Sequence, residues 1–254
     1  MIMRTGWTAP AALAVLLGVM APAAAGGLAE AALTTPLALA IDNARGTDPD
    51  RLLASLGGVV PAGLRTTNRF TWDVGRGELF NPVGDLIATI GSGAAATQQA
   101  RAQAVIDGWR LLRLLERLPR AGLGLTLEPD PPFHHPGDRV TLTAAGSGLP
   151  YLVVLALAAD GGVSVLYPLE TPRLHDRPAT DPAATVRLTL LVTPPYGADH
   201  FIAIAAAAPL AGLIADLGAL ERKPGAAAAL PGLLDRHLAG RPWQLAVRGV
   251  FSSR

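Results

Sequence analysis

The segment Tyr151-Leu-Val-Val-Leu-Ala-Leu-Ala-Ala-Asp160-Gly-Gly-Val-Ser-Val-Leu-Tyr-Pro168 consists of two apolar extended runs around an Asp-Gly turn. It is answered downstream by Thr193-Pro-Pro-Tyr-Gly-Ala-Asp-His200-Phe-Ile-Ala-Ile-Ala205, a Pro/Gly-rich loop that launches a further apolar run. Short apolar runs bounded by Asp, Gly and Pro read as strands, and an Asp-Gly pair between two of them reads as a hairpin. Leu152 to Leu155 are apolar at consecutive positions. Both faces of that strand are therefore expected to be covered, which places it at the centre of a sheet.

Working outward, Leu123–Leu127, Arg139–Thr143, Val163–Tyr167, Thr185–Val192, His200–Ala207 and Gln244–Phe251 also read as strands. Arg139, Thr141 and Thr143 alternate with Val140 and Leu142, so that strand has one wet face. Leu210–Leu220 and Leu230–Leu238 read as short helices. Val105, Trp109, Leu112 and Leu115 recur at helical spacing within Thr97–Leu118, and Pro119 ends that helix. Arg110, Arg113 and Arg117 lie beside this apolar stripe and are expected to form a solvated face, with an anionic partner as the alternative. Nearer the N-terminus, Leu37–Ile41 suggests a strand and Asp48–Leu56 a helix capped by Asp48 with Pro49 at its first position. Arg69–Val74 and Glu78–Phe80 suggest a hairpin, followed by a strand at Leu86–Ile90.

These elements predict an α+β protein, mainly β, with an antiparallel sandwich-like domain at 121–254. An amphipathic connecting helix at 96–120 precedes it, and short helices lie near the C-terminus. Residues 26–95 form an N-terminal region that either folds separately or supplies strands to the main sheet.

Residues 1–25 read as an export signal, with Arg4 ahead of an apolar stretch from Ala11 to Met20 and an Ala23-Ala24-Ala25 cleavage motif before Gly26. Ala29-Glu30-Ala31 offers a second cleavage motif, and an uncleaved N-terminal anchor is the alternative. The expected location is periplasmic or secreted. The 254 residues carry 21 Lys plus Arg against 20 Asp plus Glu, a balance that gives no support to nucleic-acid binding.

The chain contains no cysteine, which removes disulfides, thiolate metal ligands and thiol nucleophiles together. Ser92 and Ser147 lie in Gly-Ser-Gly segments that lack the complete nucleophile-elbow motif, and no phosphate-binding loop occurs. The histidines fall largely in acid-flanked groups: His134-His135 with Asp138, His175-Asp176, and Asp199-His200. Adjacent histidines on an extended chain point to opposite sides, which opposes joint ligation of one metal. Turn and loop capping accounts for all three groups, and no cofactor is expected. The loop residues of greatest interest are Tyr167, Pro168, Tyr196, Gly197, Asp199 and His200, in functional or structural roles.

The order of these motifs resembles the C-terminal accessory domain, a family of unknown function, that follows the caspase-like peptidase domain of bacterial proteins. The likeness spans Thr71 to Phe251. It rests on Trp72-Asp73, Gly84-Asp85, the Trp109 helix, Pro136-Gly-Asp138, Asp160-Gly161, Leu166-Tyr-Pro168 and the Pro194–His200 loop. The resemblance implies a β-rich module of exported or envelope-associated proteins, here without the catalytic thiol. A non-enzymatic exported binding or scaffolding module with a protein or other envelope component as partner is the leading expectation. A pseudo-peptidase subunit that regulates a separately encoded caspase-like enzyme is the second, and a metal-dependent hydrolase the third.

Overall fold

The Asp160-Gly161 turn forms where the sequence places it, and two layers pack on the hairpin it closes. The computed structural model describes residues 27–33, 36–44, 46, 48–63, 66–118, 122–168, 185–221, 223 and 225–253. The first half contains α1 (Leu28–Leu33), β1 (Leu37–Asp42), α2 (Pro49–Ala54), β2 (Val59–Pro61), β3 (Phe70–Asp73), β4 (Glu78–Phe80), β5 (Leu86–Thr89) and α3 (Ala95–Glu116). The second contains β6 (Gly124–Glu128), β7 (Arg139–Ala145), β8 (Tyr151–Leu157), β9 (Val163–Tyr167), β10 (Val186–Leu191) and β11 (Ala198–Ala206). It closes with α4 (Ala211–Leu220), α5 (Ala226–Leu238) and β12 (Trp243–Phe251). The protein is thus α+β and mainly β.

Strands β12-β11-β8-β9 form an antiparallel sheet at the centre. Side chains alternate across a strand, so each apolar strand here serves two cores. Val153, Leu155 and Leu157 of β8, with Ile202 and Ile204 of β11, face α1, α3, α4 and α5. Val154 of β8, with Phe201, Ala203 and Ala205 of β11, faces Leu127, Val140, Leu142 and Ala144 of the smaller antiparallel sheet β10-β7-β6. The continuous apolar character of Leu152–Leu155 follows from this double coverage.

Residues preceding α3 keep to a sheet of their own, ordered β2-β1-β3-β4-β5. Asp48 caps α2 by accepting from the Asp50 and Arg51 N–H groups, with Pro49 in the first turn. Helix α2 carries the chain from β1 to β2, and β1 pairs in parallel with both β2 and β3. Parallel pairing, which the run of antiparallel hairpin signals does not announce, is possible here because α2 makes the crossover.

Helix α3 has wider duties than a connector. Ala102, Val105 and Ile106 pack on the N-terminal sheet, whereas Leu111, Leu112, Leu114 and Leu115 pack under the central one. Its polar side is also occupied. The Gln103 side chain accepts from Gly57 N–H at 2.7 Å and donates to Asp107 at 2.9 Å, and Arg110 pairs with Asp107 at 3.5 Å. Burial pushes the Asp107 carboxyl up from its ordinary value, against the pull of Gln103 and Arg110. Arg113 lies 5.2 Å over the Phe70 ring, and burial lowers its pKa. The expected solvated arginine face is therefore corrected at Arg110 and Arg113, which the α2–β2 loop and Phe70 cover; Arg117 is exposed. Among the described residues, no helix is long and apolar enough to cross a membrane.

Candidate functional site

Gly197, Asp199 and His200 converge with the β8–β9 turn and α3. Gly197 is buried at φ +148°, and a Cβ there would lie 2.3 Å from the Ile87 carbonyl oxygen. Its N–H donates to Ser252 Oγ at 3.2 Å, and its carbonyl accepts from Ser252 N–H at 2.8 Å. Only glycine allows β5, the turn and the C-terminal residues to meet at this point.

Asp199 and His200 follow on successive positions of β11, so their side chains leave on opposite faces. The Asp199 carboxylate accepts the Ala159 N–H at 2.7 Å. Burial raises its pKa to about 6; the Ala159 hydrogen bond opposes the rise and the Asp160 charge adds to it. The His200 ring meets Trp109 edge-on, with centroids 5.3 Å apart, and Trp109 meets Phe70 at the same separation. Burial lowers the His200 pKa to about 4, so the ring is neutral at pH 7.

A recess lies beside them, lined by Gly108, Trp109, Leu112, Leu157, Gly161 and His200 among others. Its volume is about 10 Å³, at the lower limit for a single water. Asp199 and His200 are half-buried, and the recess does not have room for a metabolite.

Tyr167 and Pro168 lie elsewhere. They close β9 at the end opposite the Asp160-Gly161 turn, where Tyr167 pairs with Val154 and Pro168 is buried. Tyr196 is half-buried in the loop before Gly197.

Among the described residues, the remaining histidines do not gather. His134 is 1% exposed, donates its N–H to the Phe251 carbonyl at 2.9 Å and is bridged to Ser252, with its ring Nδ1 unpaired. His135 is exposed, and its N–H donates to Asp138 at 2.7 Å. His237 bonds Asp216 at 2.8 Å, an interaction that holds the Asp216 carboxyl below its ordinary range. His175 and Asp176 lie outside the described residues. Among the described residues, no three His, Asp or Glu side chains form a metal-binding group.

Two surface residues that the motif reading passes over belong with the same loop. The approach to β7 at Pro131–Asp138, the segment Val192–Gly197 and residues Phe251–Ser253 are laced together by backbone hydrogen bonds. Gly137 N–H donates to the Val192 carbonyl, and Ser253 N–H to that of His134. At this end Phe133 is 48% exposed and Leu191 55% exposed, with Pro194 and Pro195 exposed between the structured segments. Phe133 rests edge-on against Phe251 at 6.4 Å. The signal for Leu191 is present in β10, where Arg187, Thr189 and Leu191 share the outward register and the last breaks the polar pattern. Ser252, two residues from the C-terminus, has no such signal.

Comparison with protein families, curated proteins and solved structures returns no match for this chain.

Proposed function

We propose that this chain is a non-catalytic exported binding module of the bacterial envelope, which docks a protein partner on the end of the sandwich carrying Phe133, Leu191 and Pro194-Pro195. The observation behind this reading is a division of labour at one end of the sandwich. The polar side chains of Asp199 and His200 on β11 are engaged with Ala159 and Trp109, while Phe133 and Leu191 on neighbouring segments are presented to solvent. Exposed aromatic and aliphatic anchors on a rigid, hydrogen-bonded frame are what protein interfaces use. The nearly balanced charge favours such contacts over attraction to an anionic polymer.

The test compares partner capture from envelope extract by the parent protein, a Phe133→Ser/Leu191→Ser double variant and Val83→Ser. Val83 is 81% exposed in the β4–β5 turn and serves as a surface control. The same protein should be retained by the parent and by Val83→Ser, with binding weakened roughly tenfold or more in the double variant. Equal retention by all three would remove the docking role from this surface. A captured cysteine peptidase would direct the reading to the regulatory-subunit form.

A further inference from the structure

Strand β10 is an edge of the smaller sheet, and the backbone groups on its outer side are open. Its register with β7 runs from Val186 opposite Ala144 to Leu191 opposite Arg139 without a shift. Just beyond, Val192 N–H donates to the Asp138 carbonyl at 2.9 Å. Antiparallel residues alternate between bonded and non-bonded pairs, so Leu190, Leu188 and Val186 also turn their N–H and C=O groups toward β7. Arg187, Thr189 and Leu191 therefore turn theirs away from it. Among the described residues, no strand pairs with β10 on that side.

Sheet edges are commonly blunted by shortness, proline, charge or a bulge. Strand β2 is three residues long and contains Pro61, and β9 carries a register shift against β8. Val186-Arg-Leu-Thr-Leu-Leu191 has no proline and no shift, and Arg187 is its single charge. Leu188 and Leu190 point toward the core but are only half-buried at this edge. Such an edge is a template for another strand. The sequence ahead of β10 is a poor source of one, because Pro172, Pro178 and Pro182 interrupt its N–H donors.

We infer that β10 pairs with β10 of a second copy of this chain, antiparallel about a twofold axis at Thr189. In this register Thr189 faces its own counterpart and Arg187 faces Leu191 of the second copy. All three outward residues then enter bonded pairs, about six hydrogen bonds across the seam. On the core side Leu188 meets Leu190 of the second copy, and each covers the other's half-exposed flank. On the outer face the arginines stand apart, whereas a pairing centred on Arg187 would set them directly opposite one another. The inference is independent of the partner docking proposed above.

Sedimentation of the purified full chain from about 1 μM to 1 mM should show a reversible monomer–dimer equilibrium, as suits an interface of one strand per copy. Thr189→Pro removes the central donor from each copy and should weaken the dimer roughly tenfold or more. Leu191→Glu and Leu191→Arg delete the same leucine but place opposite charges beside Arg187 of the second copy, at two symmetric positions. The glutamate variant should dimerise roughly tenfold more tightly than the arginine variant. A parent that stays monomeric throughout overturns the inference, and slow amide exchange at Arg187, Thr189 and Leu191 in that monomer would assign the edge to a strand of its own chain. A dimer on which the glutamate and arginine variants act alike overturns it as well. Self-association and partner capture are separate measurements, so either proposal can fail alone.

Discussion

Gly161→Ala is expected to cost about 3–5 kcal/mol of stability. Gly161 sits at φ +82°, and its added Cβ would lie 2.2 Å from the Ala104 carbonyl oxygen and 2.5 Å from the carbonyl carbon. Those atoms belong to the backbone of α3 and have no rotamer by which to retreat. On the same helix, a Cβ at Gly108 would stand 3.5 Å from Leu157 and 3.8 Å from Gly161 Cα, which shows how closely the turn and helix approach. Gly137 supplies the control, because its φ is +85° and an added Cβ there would meet nothing within 4 Å. Gly137→Ala should cost only the backbone contribution, about 1–2 kcal/mol. Urea denaturation of the two variants separates conformation from contact, and coincident midpoints would refute the tight seating of the turn on α3.

The acid response of Asp199 and His200 is expected to be nearly silent in the parent and large in each single variant. Asp199 rises from 3.8 to about 6, so the folded state holds its proton more tightly and stability increases as pH falls through that window. His200 falls from 6.5 to about 4, so the unfolded state takes up the proton first and stability decreases as pH falls. Each contribution is roughly 3 kcal/mol, with opposite sign. Relative to the parent, Asp199→Asn should lose about 3 kcal/mol between pH 7 and pH 4, because the His200 contribution stands alone. His200→Gln should gain a similar amount over the same interval. Urea midpoints at the two pH values provide the measurement, and parallel behaviour of all three proteins would contradict the burial of this pair.

Much of the architecture is legible in local chemistry. The strand periodicity of Tyr151–Tyr167, the alternation in β7 and the Asp48-Pro49 helix start all appear near their expected places. What escapes the sequence is placement across distance. Val59–Pro61 is only three residues long and becomes a strand because β1 offers it a parallel edge. Helix α5 begins at Ala226, four residues before the expected start, since Ala226–Ala229 form a good helical turn that general alanine richness conceals. Pro231 is accommodated within that helix and so does not mark its beginning.

The candidate site divides along the same line. Gly197, Asp199 and His200 attract attention through the turn chemistry of their own loop, and the structure seats Gly197 against Ile87, Asp199 on the Ala159 N–H and His200 against Trp109. Tyr167 and Pro168 share the motif pattern but occupy the other end of β9, a separation set by strand direction. Ser252 acts on a residue far away in sequence, so it carries no local mark.

Helix α3 supplies side chains to the interiors on either side of it, so the described part of the N-terminal sheet and the central sheet share one helix. A transplant of the sandwich alone would leave Leu111, Leu112 and Leu115 behind and open the underside of its main sheet to water. Any portable version of this module has to begin upstream of Ala95 and bring a cover for the helix's other flank.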